Sequence, residues 1–287
     1  TLAGFVSGDT AATATTGSPT LTTSATPLSG AGTYSIVPAL GGLASTNYSF
    51  VFANGILTVA KAALTVTASN TSRAYGSANP TFSSTLSGFV NGETLATSGV
   101  TGSASATTTA SATSGVGSYP LTATAGSLSS ANYTFNFANG TLAVTQAPLA
   151  ITANNTSRAY GAANPTFSAT FTGLLNGDTS SVVSGLTYST SATTAGNVGA
   201  YAVTPLDGTA TNYSLSYVAG QLTITKADQA ITFEVLVPRV LGGDPFTLDA
   251  TAGSGLPVAF ASSNSSVATV AGNTVSIVGG RSDGVRP

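Results

Sequence analysis

Few side chains in this sequence can carry chemistry. Seven Lys and Arg stand against nine Asp and Glu, and 287 residues contain no His, Cys, Met or Trp. Without His the commonest general base and zinc ligand are gone. Without Cys there are no thiolate nucleophiles, thiolate metal sites or disulfides. A Ser/Lys arrangement or paired carboxylates are the chemistry left. Three carboxylates recur in one setting, Gly8-Asp9-Thr10, Gly92-Glu93-Thr94 and Gly177-Asp178-Thr179. A glycosidase pair needs its carboxylates about 5–10 Å apart, and calcium wants about six to eight oxygens. One acid per 84 or 85 residues promises neither, so these acids are expected to cap turns or short helices.

Basic residues are read in the same way. Arg73 and Arg158 each precede Ala-Tyr-Gly, and Arg239 precedes Val240-Leu241-Gly242. A ligand-facing guanidinium competes here with one that covers a carbonyl or stacks on a Tyr ring, and the structural role is preferred. Lys61 and Lys226 invite comparison with intramolecular isopeptide crosslinks, but acids are scarce near them. Asn70, Asn132 and Asn155 head Asn-x-Ser/Thr triplets, which a chain so rich in these residues produces by chance. No catalytic residue, cofactor or metal site is expected.

Spacing says more than chemistry. Ser72-Arg73-Ala74-Tyr75-Gly76 with Asn79-Pro80-Thr81-Phe82 returns 85 residues later as Ser157-Arg158-Ala159-Tyr160-Gly161 with Asn164-Pro165-Thr166-Phe167. Gly4-Phe5-Val6, Gly88-Phe89-Val90 and Gly173-Leu174-Leu175 form a second marker. Asn47-Tyr48, Asn132-Tyr133 and Asn212-Tyr213 form a third. A fixed period of this kind means a repeat array. The boundaries drawn are a partial repeat 1 over 1–60, which opens at its Gly-Phe-Val marker, repeat 2 over 61–145 and repeat 3 over 146–225. A segment of different character follows over 226–280, with a tail at 281–287.

Elements follow from periodicity. Phe167, Ala169 and Phe171 alternate, as do Tyr34, Ile36 and Pro38, and Tyr133, Phe135 and Phe137, which is the signature of half-buried strands. Asn54-Gly55 and Asn139-Gly140 fall between such runs and are read as tight hairpin turns with positive φ. Short helical turns are allowed near Ser180–Ser184 and from Leu95. From Leu57 to Thr67, strand passes into strand with no Gly or Pro, and a joint of that kind should be stiff. The 226–280 segment reads as about six short strands of a small sandwich.

A chain with 6% charged and 42% hydrophobic residues must build its polar face from Ser, Thr, Asn and Gly. The thin charge provides no basic stripe, so nucleic acid is excluded as a partner. No apolar run of about 18 residues spans a bilayer.

The Arg-Ala-Tyr-Gly, Asn-Pro-Thr-Phe, Asn-Gly-Asp/Glu-Thr and Asn-Tyr series resembles the MBG/YDG-type repeats of large bacterial surface proteins. It is carried by Arg73, Tyr75, Gly76, Pro80, Asn132, Tyr133 and Gly140, and by Arg158, Tyr160, Gly161, Pro165, Asn212, Tyr213 and Gly220. Residues 227–280 resemble a bacterial immunoglobulin-like module, without the strand that usually closes it. The resemblance implies a mainly β fold of β-grasp-like repeats in a linear rod, ending in an Ig-like β-sandwich segment. It also implies an extracellular, cell-surface location in adhesins related to filamentous haemagglutinin, with no catalytic residues. The function expected is a structural stalk. Alternatives are a head-to-tail filament that self-associates through unpaired sheet edges, or a module binding host protein or glycan through loops such as 99–117.

Overall fold

Alternation and turn punctuation yield a chain that is mainly β. The computed structural model describes residues 1–280, so the expected tail at 281–287 lies outside the described residues. Repeat 1 holds the short helix α1 (Ala11–Ala14), then β1 (Thr20–Thr23), β2 (Gly32–Ala39) and β3 (Gly55–Val59). Repeat 2 holds β4 (Ala62–Ala68), β5 (Thr71–Ala74), β6 (Ser84–Ser87), β7 (Ser105–Thr107), β8 (Gly117–Thr124), β9 (Tyr133–Ala138) and β10 (Gly140–Thr145). Repeat 3 follows with β11 (Ala147–Ala153), β12 (Thr156–Ala159), β13 (Ala169–Thr172), a 3-10 turn at Ser180–Val182, β14 (Thr187–Ser189), β15 (Gly199–Leu206), β16 (Tyr213–Val218) and β17 (Gly220–Thr225). The last segment has β18 (Ile231–Phe233), β19 (Phe246–Thr247), β20 (Ala250–Ala252), β21 (Ala268–Ala271) and β22 (Thr274–Ile277), in sheets ordered β18-β20 and β19-β22-β21.

Repeat 2 shows how the pattern becomes a fold. Its strands form two sheets, β6-β4-β9 and β5-β10-β8-β7. Period-two alternation turns Leu64, Val66 and Ala68 of β4 to one face, and all three are buried, as are Leu121 and Ala123 of β8 and Leu142 and Val144 of β10. Each fully buried Leu or Val contributes about 1.5–3 kcal/mol.

Two pairings are parallel, β4 with β9 and β5 with β10. As a result β9 and β10, though consecutive, lie in different sheets, which corrects the hairpin expected at Asn139-Gly140. Neither residue has positive φ. Gly140 is instead a crossing point: a Cβ there would lie 2.3 Å from the carbonyl oxygen of Ala68, and at Gly220 2.2 Å from that of Ala153. Only glycine permits that approach of two backbones. Asn54-Gly55 likewise has no positive φ, and β3 pairs with β2.

The tight turns are elsewhere. Ser7 and Gly8, Asn91 and Gly92, and Asn176 and Gly177 all have positive φ, the pairing a type I′ turn requires. Each is closed by a backbone bond, Asp9 N–H to Val6 O, Glu93 N–H to Val90 O and Asp178 N–H to Leu175 O.

The chain divides into two compact units. One comprises 1–151, 171–187 and 206–217; the other comprises 152–170, 188–205 and, among the described residues, 218–280. The first has two apolar clusters, Ala68/Ala110/Leu121/Ala123/Leu142 and Tyr75/Val144/Ala147/Leu149/Tyr213. In the second, Ala153, Ala192, Val203, Leu222 and Ile224 form the core.

Repeat 1 contains only the antiparallel sheet β1-β2-β3. The stretch equivalent to β4, β5 and β6 would precede residue 1. Leu57 is 37% exposed where the equivalent Leu142 is fully buried. Phe50 to Phe52 have the sequence pattern of β9 but form no strand among the described residues.

Candidate functional site

Every repeat builds the same small polar constellation, beginning at the type I′ turn. That turn lifts its acid toward the Tyr of the Asn-Tyr marker. In repeat 2 the Tyr133 hydroxyl donates to Glu93 Oε2 at 2.5 Å and accepts from the Val90 N–H at 3.1 Å. In repeat 3 the Tyr213 hydroxyl donates to Asp178 Oδ2 at 2.6 Å and accepts from the Leu175 N–H at 2.9 Å. Repeat 1 matches them with Tyr48, Asp9 Oδ2 at 2.9 Å and the Val6 N–H at 3.1 Å. Phe5 and Phe89 pack edge-on against Tyr48 and Tyr133.

The acids therefore accept phenols and do not cap helices, which corrects the expectation for them. α1 is capped by Thr10, whose Oγ1 accepts from the Thr13 N–H, and the 3-10 turn after Thr179 has no side-chain cap. The effect on the phenols is direct. Its bond to Glu93, reinforced by burial, raises the pKa of Tyr133. Burial and the bond to Asp178 push Tyr213 up to about 12.

The arginines lie in a second constellation. Arg73, on β5, is buried: Nε donates to Asn79 Oδ1 at 2.7 Å, Nη1 to Ala74 O at 3.1 Å and Nη2 to Ser111 O. Arg158 on β12 repeats this with Asn164 Oδ1 at 2.7 Å, Ala159 O at 3.1 Å and Thr193 O at 2.6 Å. Asn79 and Asn164 in turn donate to Ala110 O and Ala192 O. Pro80 and Pro165, both half-buried, hold the preceding Asn away from helical backbone. These guanidiniums close the loop that faces them and present little to solvent. Arg239 lies 4.4 Å from the centroid of the Phe246 ring.

A third set of contacts runs from one repeat to the next. The Asn132 side-chain oxygen accepts from the Ala31 N–H at 3.0 Å, and the Asn212 side-chain oxygen from the Val116 N–H at 2.9 Å. Lys61 Nζ donates to Ser130 O, and Gln146 Nε2 to Ala210 O and Thr211 O. From repeat 2 to repeat 3 there is also a lock. Tyr75 follows β5, is buried, and donates to Asp178 Oδ2 at 3.1 Å, so that one carboxylate oxygen takes two phenols. The rings of Tyr75 and Tyr213 meet edge to face at 5.5 Å. Gly76, with φ +79°, lies so close to Leu175 that an added Cβ would be 2.7 Å from its Cδ1.

Residues 1–58, 64–143 and 149–223, over half of the chain, match the MBG domain of YGX type. The chain belongs to the MBG domain family. No protein among the curated ones matches it. Among solved structures it is similar to the N-terminal eight Ig domains of Down syndrome cell adhesion molecule, isoform 1.30.30, at 11% identity and a TM-score of 0.24. That similarity covers 85% of this chain and 41% of that one, so the chain spans less than half the length of its structural neighbour.

The Tyr-Gly pairs of the MBG repeats have two surroundings. Tyr75-Gly76 is buried against repeat 3, whereas Tyr160 is 48% exposed and an added Cβ at Gly161 would meet nothing within 4 Å. At the Asn-Gly crossing, Asn139 Oδ1 accepts from the Ala123 N–H. Sequence reasoning missed the Tyr–acid pairs and the joint asparagines, because the partners lie 35 to 103 residues apart. The usable signal was that acid, Asn-Tyr and Tyr-Gly markers recur together in every complete repeat. Among the described residues no three His, Cys, Asp or Glu side chains gather as a metal site, and no helix is long and apolar enough to cross a membrane.

Proposed function

We propose that the chain is a non-catalytic, load-bearing stalk region of an extracellular bacterial surface protein. The observation that carries this is how tension enters MBG repeat 2. The chain arrives at Ala62, the first residue of β4, and leaves at Thr145, the last of β10, which follows directly on β9. β4 and β9 are parallel and paired from Ala62↔Tyr133 to Thr67↔Ala138. Pulling the two ends drives these strands past one another along their axes, so the ladder bonds are sheared together and not unzipped one at a time. β5 and β10, parallel from Thr71↔Leu142 to Ala74↔Thr145, add a second such ladder.

The joints support the same reading. Two residues separate β3 from β4 and one separates β10 from β11, without Gly or Pro, and the Lys61 and Gln146 side chains tie each joint to the following repeat. Little slack is left for a force to take up first. Membership of a structural repeat family fits a role without catalysis.

Stretching single molecules between their ends tests the proposal. Discrete force peaks are expected, and rupture of repeat 2 should release about 80 residues, on the order of 270 Å at about 3.4 Å per residue. Smooth extension without peaks overturns it. So does saturable glycan or host-protein binding that substitutions within 99–117 abolish, or a hydrolase activity lost on a single substitution.

A further inference from the structure

We propose that the residue at positions 30, 115 and 197 decides what can follow an MBG repeat: glycine admits another MBG repeat, and Asn197 excludes one. The three positions are equivalent in structure as well as in sequence. Each backbone carbonyl accepts the phenol of the tyrosine four residues on, Gly30 from Tyr34 at 2.8 Å, Gly115 from Tyr119 at 2.9 Å and Asn197 from Tyr201 at 2.9 Å. The backbone is held alike in every repeat, and only the side chain differs.

Conformational freedom does not explain the glycines, since neither Gly30 nor Gly115 has positive φ. Room does. An added Cβ would lie 2.8 Å from Asn132 Oδ1 at Gly30 and 3.1 Å from Asn212 Oδ1 at Gly115. Both oxygens belong to the asparagines of the following repeat, and each of these residues holds two segments at once. The side-chain oxygen accepts from the residue after the glycine, Ala31 or Val116, at 3.0 and 2.9 Å. The backbone oxygen accepts from the residue that opens β4 or β11, Ala62 or Ala147, at 3.0 Å in both joints. A side chain at the glycine pushes on the oxygen that makes the first bond. The asparagine can turn aside only by giving that bond up.

Repeat 3 departs from the pattern, and a segment outside the MBG match follows it. Asn197 stands in place of the glycine and lines a cavity of about 810 Å³ with Tyr160, Val198, Lys226 and Asp228. The equivalent residues of repeat 2 meet the next MBG repeat. Tyr75 is accordingly buried there, whereas its counterpart Tyr160 is 48% exposed. The Asn197 amide occupies the side of the joint to which a following MBG repeat would have to bring an asparagine of its own. This selection of the next module goes beyond the stalk reading and does not depend on it.

The full chain with Gly115→Asn tests the proposal, because it gives the joint between repeats 2 and 3 the residue found at 197. Two readouts report on that joint: hydrogen exchange of the Val116 amide, which Asn212 covers, and nitration of Tyr75 by tetranitromethane, with the half-exposed Tyr160 as internal reference. Gly115→Asn should speed exchange at Val116 by at least about fivefold, the effect of one lost hydrogen bond. It should also raise Tyr75 nitration to the rate of Tyr160. Gly115→Ala, with a Cβ alone, should shift exchange in the same direction by less. Asn212→Ala should release the amide while leaving Tyr75 protected. Added to Gly115→Asn, it should restore that protection, since it removes the group that the new side chain strikes. Ser118→Asn, at an exposed strand position, should change neither readout. Unchanged exchange and nitration in Gly115→Asn overturn the proposal. So does a double variant as open as Gly115→Asn alone, or a Ser118→Asn chain that opens equally.

Discussion

The phenol of Tyr213 receives a backbone N–H and gives its proton to a carboxylate that also holds the phenol of Tyr75. Bonds to a charged acceptor contribute about 1.5–3 kcal/mol, and removing one partner strands the other in a desolvated site. Tyr213→Phe should therefore lower stability by about 2–3 kcal/mol, measured by denaturant unfolding. Tyr48→Phe, at a phenol that is only half-buried, should cost under about 1 kcal/mol. The same bond sets an alkaline limit. The folded protein holds the Tyr213 proton up to about 12 against an ordinary 10. Below pH 10 the phenol is neutral folded or unfolded, and its contribution is complete. Between pH 10 and 12 the unfolded chain ionises first, so stability falls as pH rises. A melting series over that window should show the fall, and Tyr213→Phe should reduce its slope.

At the scale of elements, glycine serves two ends, and substitution separates them. Gly92→Ala forces an L side chain to φ +71° with open space around it, a cost of about 1–2 kcal/mol. Gly140→Ala drives a methyl into the Ala68 carbonyl at 2.3 Å, so two sheets must part. It should cost about 3 kcal/mol or more and lower the melting temperature further than Gly92→Ala does. The contrast also explains what could be read in advance. Period-two runs such as Phe167/Ala169/Phe171 and the repeated markers gave strands and repeats, because alternation is written locally. Asn-Gly is locally identical at Asn91-Gly92 and Asn139-Gly140, yet one is a type I′ turn and the other a crossing between sheets. The difference lies in β4, some 70 residues upstream of Gly140, whose parallel pairing with β9 draws that strand away from β10. The acids were misassigned for the same reason: Thr10 is near Asp9 in sequence, but Tyr48 is near it in space.

Across the whole molecule, titration has little purchase. With no His and sixteen charged side chains in 287 residues, few groups change state or feel added salt in the neutral range. The melting temperature should move by less than about 10 °C between pH 5 and 9, or between low salt and about 0.5 M salt. A larger shift would mean that charge, and not apolar burial with hydrogen bonding, dominates the fold.

The guanidiniums enclosed by carbonyls decide how the protein meets a digestive enzyme. Trypsin needs a basic side chain and several residues of pliable backbone around it. Arg73 and Arg158 supply neither: each is buried, on a strand, with its head group tied into a facing loop. Lys226 and Arg239 are exposed and lead into backbone outside any strand; Lys61 is exposed too, but sits in the two-residue joint between β3 and β4 with Nζ on Ser130 O. Limited digestion should therefore cut at Lys226 and Arg239 before Arg73 and Arg158. Mass spectrometry of the products reads this directly, and early cleavage after Arg73 or Arg158 would show that those loops open in solution.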